Sequence, residues 1–343
     1  MPAFSSRLVT PGGDTRSDTE VTTSASLYDP DALIECVPNF SEGRDENVVR
    51  RIVSAMALDG VSLLDYSLDR DHNRSVVTIA GKPAAVQEAA ICAAGMAAEL
   101  IDLTAQRGVH PRIGAADVIP FVPLRNISLQ QCAMIARQAG EEIWRRYAVP
   151  CYFYEAAASR PDRLALEDVR RGQFEGLREA VRNQPARRPD VGGPELHPTA
   201  GACAIGARKF LIAYNLFLDT SDVAVARAIA REIRAAGGGL SGVKALGLLV
   251  EGHAQVSINI TDFTRTGVGE VYEMVKRKAA ERGAAPMRGE LIGLLPEAAY
   301  ERDSEWVRLL NQFDPERKIL ERRLSHPLAW PDAATPAGHE AGA

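Results

Sequence analysis

Cysteine is scarce in this chain, with five in 343 residues, and the five are widely and irregularly spaced. Cys36, Cys92, Cys132, Cys151 and Cys203 form no close-set pair of the kind that holds a metal, and an odd count argues against a disulfide framework. Each is expected to be a small buried hydrophobe in a reducing compartment. Long apolar runs are also missing. None approaches the ~18 residues that span a bilayer, so no membrane partner is expected. Basic excess is absent: Lys and Arg number 40 against 45 Asp and Glu, for a net charge of −5. That balance lacks the footprint of a nucleic-acid binder. No two of the six histidines show the i, i+4 spacing of a helical zinc site, and no metal is expected. Residues 1–31 lack the apolar segment of a secretory signal, and a cytoplasmic setting is expected. Their Ser/Thr bias predicts a disordered extension, as does the composition of 326–343.

What remains reads as a globular body between about residues 32 and 325. LIECVP (33–38) is a short apolar run that predicts a buried strand, and Ser41 and Asp45 are candidate caps of the helix that follows. Residues 60–67 and 74–81 predict two strands around the polar turn LDRDHN. An alanine-rich helix opens at Lys82-Pro83, with proline tolerated in the first turn. ADVIPFVPL (116–124) predicts a strand whose prolines suggest an edge or a strand end. A helix over 128–147, a strand over 151–157 and short helical stretches over 162–183 complete the first half.

After the linker NQPARRPDVGGPELHPTAGA the order repeats. It runs through a strand at 208–218, a helix capped by Thr220 or Ser221, strands at 243–250 and 254–262, a helix at 268–283 and a strand at 288–296. GGGLSG is preceded by a helix and followed by a strand, the reverse of a phosphate-cradling loop, and predicts a flexible turn. The fold class is therefore α+β: two ferredoxin-like βαββαβ subdomains with a ligand cleft between them. The expected divisions are 32–184, a junction at 185–201, and 202–325.

The chemistry-bearing stretch is RGVHPRIGAADVIPF (107–121). Pro111 keeps His110 extended, and Gly114 frees the chain to turn just beyond, so a stiff loop presents one imidazole and one guanidinium. His72 and His197 also lie at connections between elements. A turn histidine bonded to nearby backbone is the alternative for each of the three. His253 reads as a hairpin residue, and His326 and His339 lie near the chain end.

IECVPNFSEGRD (34–45), GVHPRIGAADVIPFVP (108–123) and GARKFLIAYNL (206–216) closely resemble the glutamate formimidoyltransferase family, the transferase part of formimidoyltransferase–cyclodeaminase. The similarity extends over roughly residues 33–325. It implies transfer of a formimidoyl group from N-formimidoyl-L-glutamate to tetrahydrofolate, a co-substrate, within histidine breakdown. It also implies a folate tunnel between two subdomains, a homodimer, and His110 as the acid/base. An imidazole with a pKa near 6.5 suits a reaction in which one amine loses a proton and another gains one. Arg112 can fork onto a carboxylate or form an intradomain ion pair. Asn39 can orient an amidine or pterin, or cap its own turn. Arg208 and Lys209 can face the folate's glutamate tail or form salt bridges. Asp117 can orient the His110 loop or bond backbone.

The family's folate segment falls on Gly192, Gly193, Pro194, Glu195 and Leu196, followed by His197, Pro198, Thr199, Ala200 and Gly201; a plain linker is the alternative. Vertebrate members carry an acid two residues beyond the position of Asp65, where this chain has Ser67, with Asp69 and Asp71 close by. No cyclodeaminase domain is expected within this chain. An N-formylglutamate-using transferase and a noncatalytic folate-binding protein remain alternatives at this level.

Overall fold

The computed structural model describes residues 28–308, 310 and 313–332. The first unit begins with a strand interrupted at Val37-Pro38, giving β1 (Leu33–Cys36) and β2 (Asn39–Phe40). Helix α1 (Glu46–Ser54) starts where the Asp45 carboxylate accepts from the amides of Asn47 and Val48. Such a cap contributes about 1 kcal/mol. Ser41, the other expected cap, instead donates to the Gly114 carbonyl at 2.7 Å. Helix α1 buries Val49, Ile52 and Val53, each worth roughly 1.5–3 kcal/mol in removed apolar surface.

Strands β3 (Val61–Asp69) and β4 (Arg74–Gly81) pair antiparallel, and α2 (Pro83–Leu100) leads toward β5 (Ala116–Arg125). Helix α3 (Leu129–Tyr147) opens with a Ser128/Gln131 capping box and precedes β6 (Cys151–Glu155). Helices α4 (Leu166–Val169) and α5 (Gln173–Asn183) follow, and β7 (Cys203–Ala207) returns to the sheet. The strand order is β3-β4-β1/β2-β5-β7-β6. Its first four positions are the ferredoxin-like arrangement; β7 and β6 extend it in parallel to β5.

Two expectations about this sheet are corrected. Strand β5 lies inside it, between β1/β2 and β7, rather than at an edge. Pro120 is tolerated because it sits at the β1/β2 interruption, where its carbonyl accepts from Val37. Strand β7 was hidden in the sequence: it is five small or apolar residues directly before a longer strand. Because β7 pairs with β5 and β6, the chain leaves the first sheet only after Ala207, later than the expected division at 202.

The second unit contains β8 (Ile212–Leu218), α6 (Val223–Ile233), β9 (Val243–Val250), β10 (His253–Ile260), α7 (Val268–Ala280) and β11 (Pro286–Ile292). The sheet is antiparallel in the order β11-β8-β10-β9, and α6 and α7 cover one face. Asp222, rather than Thr220 or Ser221, caps α6; Thr220 accepts from the Asp222 amide one step earlier. The chain then runs through α8 (Glu297–Arg302), α9 (Ser304–Arg308), α10 (Pro315–Lys318) and α11 (Leu320–Ser325).

The two units meet at an apolar seam in which Leu64 and Ala80 of the first sheet pack with Leu294 and Leu320. Lys318 reaches Asp65 at 3.1 Å, Lys244 reaches Glu167 at 3.3 Å, and the Glu251 amide donates to Asp71 at 2.6 Å. The segment after α11 does not behave as the expected disordered tail. Leu328 donates to Leu63 at 2.8 Å, Ser54 donates to Pro331 at 2.7 Å, and Leu328 and Trp330 pack on the first core. The side chains of Leu328 and Trp330 carry that docking. The disorder expected of residues 1–27 and 333–343, with His339, falls outside the described residues. Four of the five cysteines are buried and all five are free thiols.

Candidate active site

The loop from α2 to β5 is pinned from two sides. On one side is the β3–β4 turn. Asn73 donates to the Arg107 carbonyl at 2.9 Å, Gln106 donates to the Asn73 carbonyl at 3.0 Å, and Val109 donates to Asp71 at 3.3 Å. Gly108 packs so closely there that a Cβ would stand 2.2 Å from the His72 carbonyl oxygen. On the other side is the junction. Leu103 donates to Thr199, Ala115 donates to Ala200, and Ala202 donates to Ile113, each at 2.9 Å. Gly201 (φ +72°) makes this approach possible, since a Cβ would lie 2.2 Å from the Ile113 oxygen.

His110 projects from the middle of that loop. Its Nδ1 lies 2.8 Å from the Pro111 carbonyl. A carbonyl only accepts, so Nδ1 carries the hydrogen and Nε2 holds the basic lone pair. Burial holds the imidazole's pKa well below its ordinary value, and the positive charges of Arg74 and Arg170 add to the effect. This corrects the expectation of a pKa near 6.5: at neutral pH the ring is uncharged.

The two arginines belong to a buried network that composition and spacing did not reveal. Arg74 donates to Asn39 Oδ1 through Nε and Nη2 at 3.0 and 2.8 Å, and to Asp117 at 2.7 Å. Asp117, wholly buried, also pairs with Arg170 and accepts from the Ile113 amide at 2.8 Å. Burial alone would raise the Asp117 carboxyl, but Arg170 and Arg74 outweigh it and hold it at about 2. A fully buried carboxylate between two guanidiniums keeps its charge because separation would leave ions unpaired in low dielectric. The signal available in the sequence was Arg74 itself, the one charged residue of an uncharged strand.

Two models of one family match this chain: the formiminotransferase domain, N-terminal subdomain, over residues 33–208, and the formiminotransferase domain over 213–308. The chain belongs to the formiminotransferase family. A glutamate formimidoyltransferase of Streptococcus pyogenes serotype M1 is 42% identical over 295 residues, which covers 85% of this chain and 98% of that one. Its counterpart in Thermoplasma acidophilum is 44% identical over 298 residues, with 85% and 97% covered. The formimidoyltransferase-cyclodeaminase of Rattus norvegicus is 37% identical over 322 residues; the alignment takes in 84% of this chain and 59% of the relative.

In this formiminotransferase fold the structure gathers His110, Asn39 and Asp117, while the junction lies against the same loop. Asn39 is held by Arg74 and donates to the Val37 carbonyl at 2.7 Å. Of the two roles open to Arg112, the structure shows the intradomain ion pair. Its Nη1 and Nη2 fork onto Glu175 at 3.1 and 2.9 Å, and Nε donates to Gln106 at 2.6 Å. Nη2 also reaches the carbonyls of Leu103 and Gln106. With its donors taken by the chain, Arg112 braces the loop base against α5 and offers no fork to a substrate carboxylate.

Arg208 donates to the Lys209 carbonyl, and its charge acts on buried Glu35; Lys209 is exposed. Within the junction, His197 Nδ1 accepts from Ala200 at 3.0 Å and so stabilises its own turn. Gly192 (φ +79°) packs on Trp144, Gly193-Pro194 is cis, and Glu195 forms an exposed pair with Arg182. The carboxylates near Ser67 are each committed elsewhere. Asp65 pairs with Lys318, Asp71 accepts from Glu251, and Asp69 holds His72. Among the described residues none of the three bonds His110 directly.

Proposed function

We propose that this protein is a glutamate formimidoyltransferase that moves the formimidoyl group from N-formimidoyl-L-glutamate to tetrahydrofolate, releasing L-glutamate and 5-formimidoyltetrahydrofolate. The observation that carries this reading is the state of His110: Nδ1–H anchored on Pro111, Nε2 bare, and the ring neutral beside two guanidiniums. An amine that attacks the amidine carbon must shed a proton, and a neutral imidazole accepts it. Burial, with the charges of Arg74 and Arg170, then disfavours the imidazolium, so the proton is readily passed on toward the departing glutamate nitrogen. Asn39 and Asp117 hold the surrounding frame, and the junction from Gly192 to Gly201 supplies backbone beside the same loop for the folate. The reading also carries a folate site between the two units, a homodimer and a cytoplasmic setting. Holding two substrates against one loop would supply the remaining rate enhancement.

The test is His110→Asn. Its amide Nδ2 can keep the Pro111 bond, while the base is lost. Formimidoyl transfer to tetrahydrofolate is expected to fall by about 10²-fold or more with the melting temperature retained. Turnover near that of the parent would refute the assignment, and parallel assays with N-formylglutamate and without tetrahydrofolate separate the other donors and acceptors.

A further inference from the structure

A second imidazole stands beside His110. The rings of His72 and His110 are 5.9 Å apart between centroids and 67° from parallel, an edge-to-face contact. His72 is 92% buried in the β3–β4 turn, where its amide donates to Asp69 Oδ1 at 2.8 Å and its Nδ1 bonds Asp69 Oδ2. Burial would raise the Asp69 carboxyl, but the bonds from His72 outweigh it and hold the group below its ordinary range. An ionised carboxylate only accepts, so the hydrogen of this bond belongs to His72 Nδ1. Both rings are thus anchored through Nδ1. Neither Nε2 has a hydrogen-bond partner among the described residues.

The surroundings of the two rings differ in sign. Around His110 the charges of Arg74 and Arg170 outweigh that of the Asp117 carboxylate, whereas His72 is held by a carboxylate. The bonds from Asn73, Gln106 and Val109 fix the two loops together, so the ring contact is built into the backbone rather than left to two free side chains.

Resting on the transferase reading, we propose that His72, oriented by Asp69, is a second proton carrier of the transfer. Nε2 of His110 takes the proton from the attacking amine as the new N–C bond forms. The proton passes from His110 to His72 Nε2, across the ring contact or through one water. His72 then gives it to the glutamate nitrogen as the old C–N bond breaks. One proton has moved from nucleophile to leaving group, both imidazoles are again neutral, and no further reactant is required. Asp69 keeps the tautomer fixed and faces the positive charge while it resides on His72, the role a carboxylate plays behind a histidine in other acid–base pairs.

The experiment compares the parent with His72→Asn and Asp69→Asn, using tetrahydrofolate and two donors. Asparagine at 72 can retain the bond to Asp69 through Nδ2 while removing Nε2. The donors are N-formimidoyl-L-glutamate and its 3-fluoroglutamate analogue, whose leaving amine is less basic and whose carboxylates are kept. For His72→Asn, kcat with the natural donor is expected to fall by about 10-fold or more, with KM and melting temperature held. The deficit should narrow with the fluorinated donor, because a weaker base needs less help to leave. Asp69→Asn should show the same pattern more weakly. Equal losses on both donors, or loss explained by a lowered melting temperature in both variants, overturn the proposal in favour of a packing role, as does unchanged kcat. An inactive parent would instead overturn the transferase reading on which it rests.

Discussion

Replacing Glu35 with glutamine changes one oxygen for an amide and removes one ionisation from the inside of the first sheet. Glu35 lies on β1 with 1% of its surface exposed, and its Oε2 has no hydrogen-bond partner. Burial raises its carboxyl from 4.5 to about 7; Arg208 opposes the rise and Glu321 reinforces it. A difference of about 2.5 between the folded and unfolded chain corresponds to roughly 3 kcal/mol. The folded chain holds this proton more tightly than the unfolded one. The resulting stabilisation is therefore complete below pH ~4.5 and is lost as the pH rises through about 7.

Between about pH 5 and about pH 8 the parent should lose on the order of 2.5 kcal/mol from this group, and Glu35→Gln should not. At about 2 °C per kcal/mol for a chain of this size, the melting temperature of the variant relative to the parent should rise by roughly 5 °C across that interval. Thermal unfolding of both proteins in matched buffers measures it. The sign is the sensitive part: a carboxylate stabilised by Arg208 would give the opposite trend. A difference between variant and parent that is flat with pH would refute the reasoning.

Two further substitutions separate bracing from binding. Arg112→Lys keeps the charge but loses the fork onto Glu175 and the bond to Gln106, and should cost about 2 kcal/mol of stability while leaving KM for the donor unchanged; a raised KM with an unchanged melting temperature would return Arg112 to the substrate. Gly201→Val places a β-branched residue at φ +72° against the Ile113 carbonyl and should cost more than about 2 kcal/mol. It should also shrink the stabilisation that tetrahydrofolate confers, about 2.7 kcal/mol at 100 times its dissociation constant in the parent. An undiminished ligand-induced rise in melting temperature would place the folate away from this segment.

Periodicity and turn chemistry carried the architecture as far as local signals reach. Apolar runs located the strands of both units, Asp45 and Pro83 marked helix starts, and the repeated strand–helix order yielded two ferredoxin-like halves. The HPR stretch, with its proline-stiffened backbone, marked the loop on which His110 sits. Partnership was not legible, because it is set by what packs from elsewhere in the chain. Strand β5 became interior because β7 arrived beside it from more than eighty residues away. Which carboxylate Arg112 forks onto stays open in the sequence until α5 brings Glu175 to it. His110 reads as an imidazole of ordinary basicity until burial in the folded chain, with Arg74 and Arg170 from two distant elements, lowers it. His72 and Asp69 are three residues apart and could have been suspected as a pair. That the pair stands against His110 depends on the bonds that tie the 70–73 turn to the 106–110 loop, and only the folded chain makes them. Local sequence determines backbone conformation through sterics and capping, whereas charge state and donor occupancy depend on burial and neighbours, which tertiary packing decides.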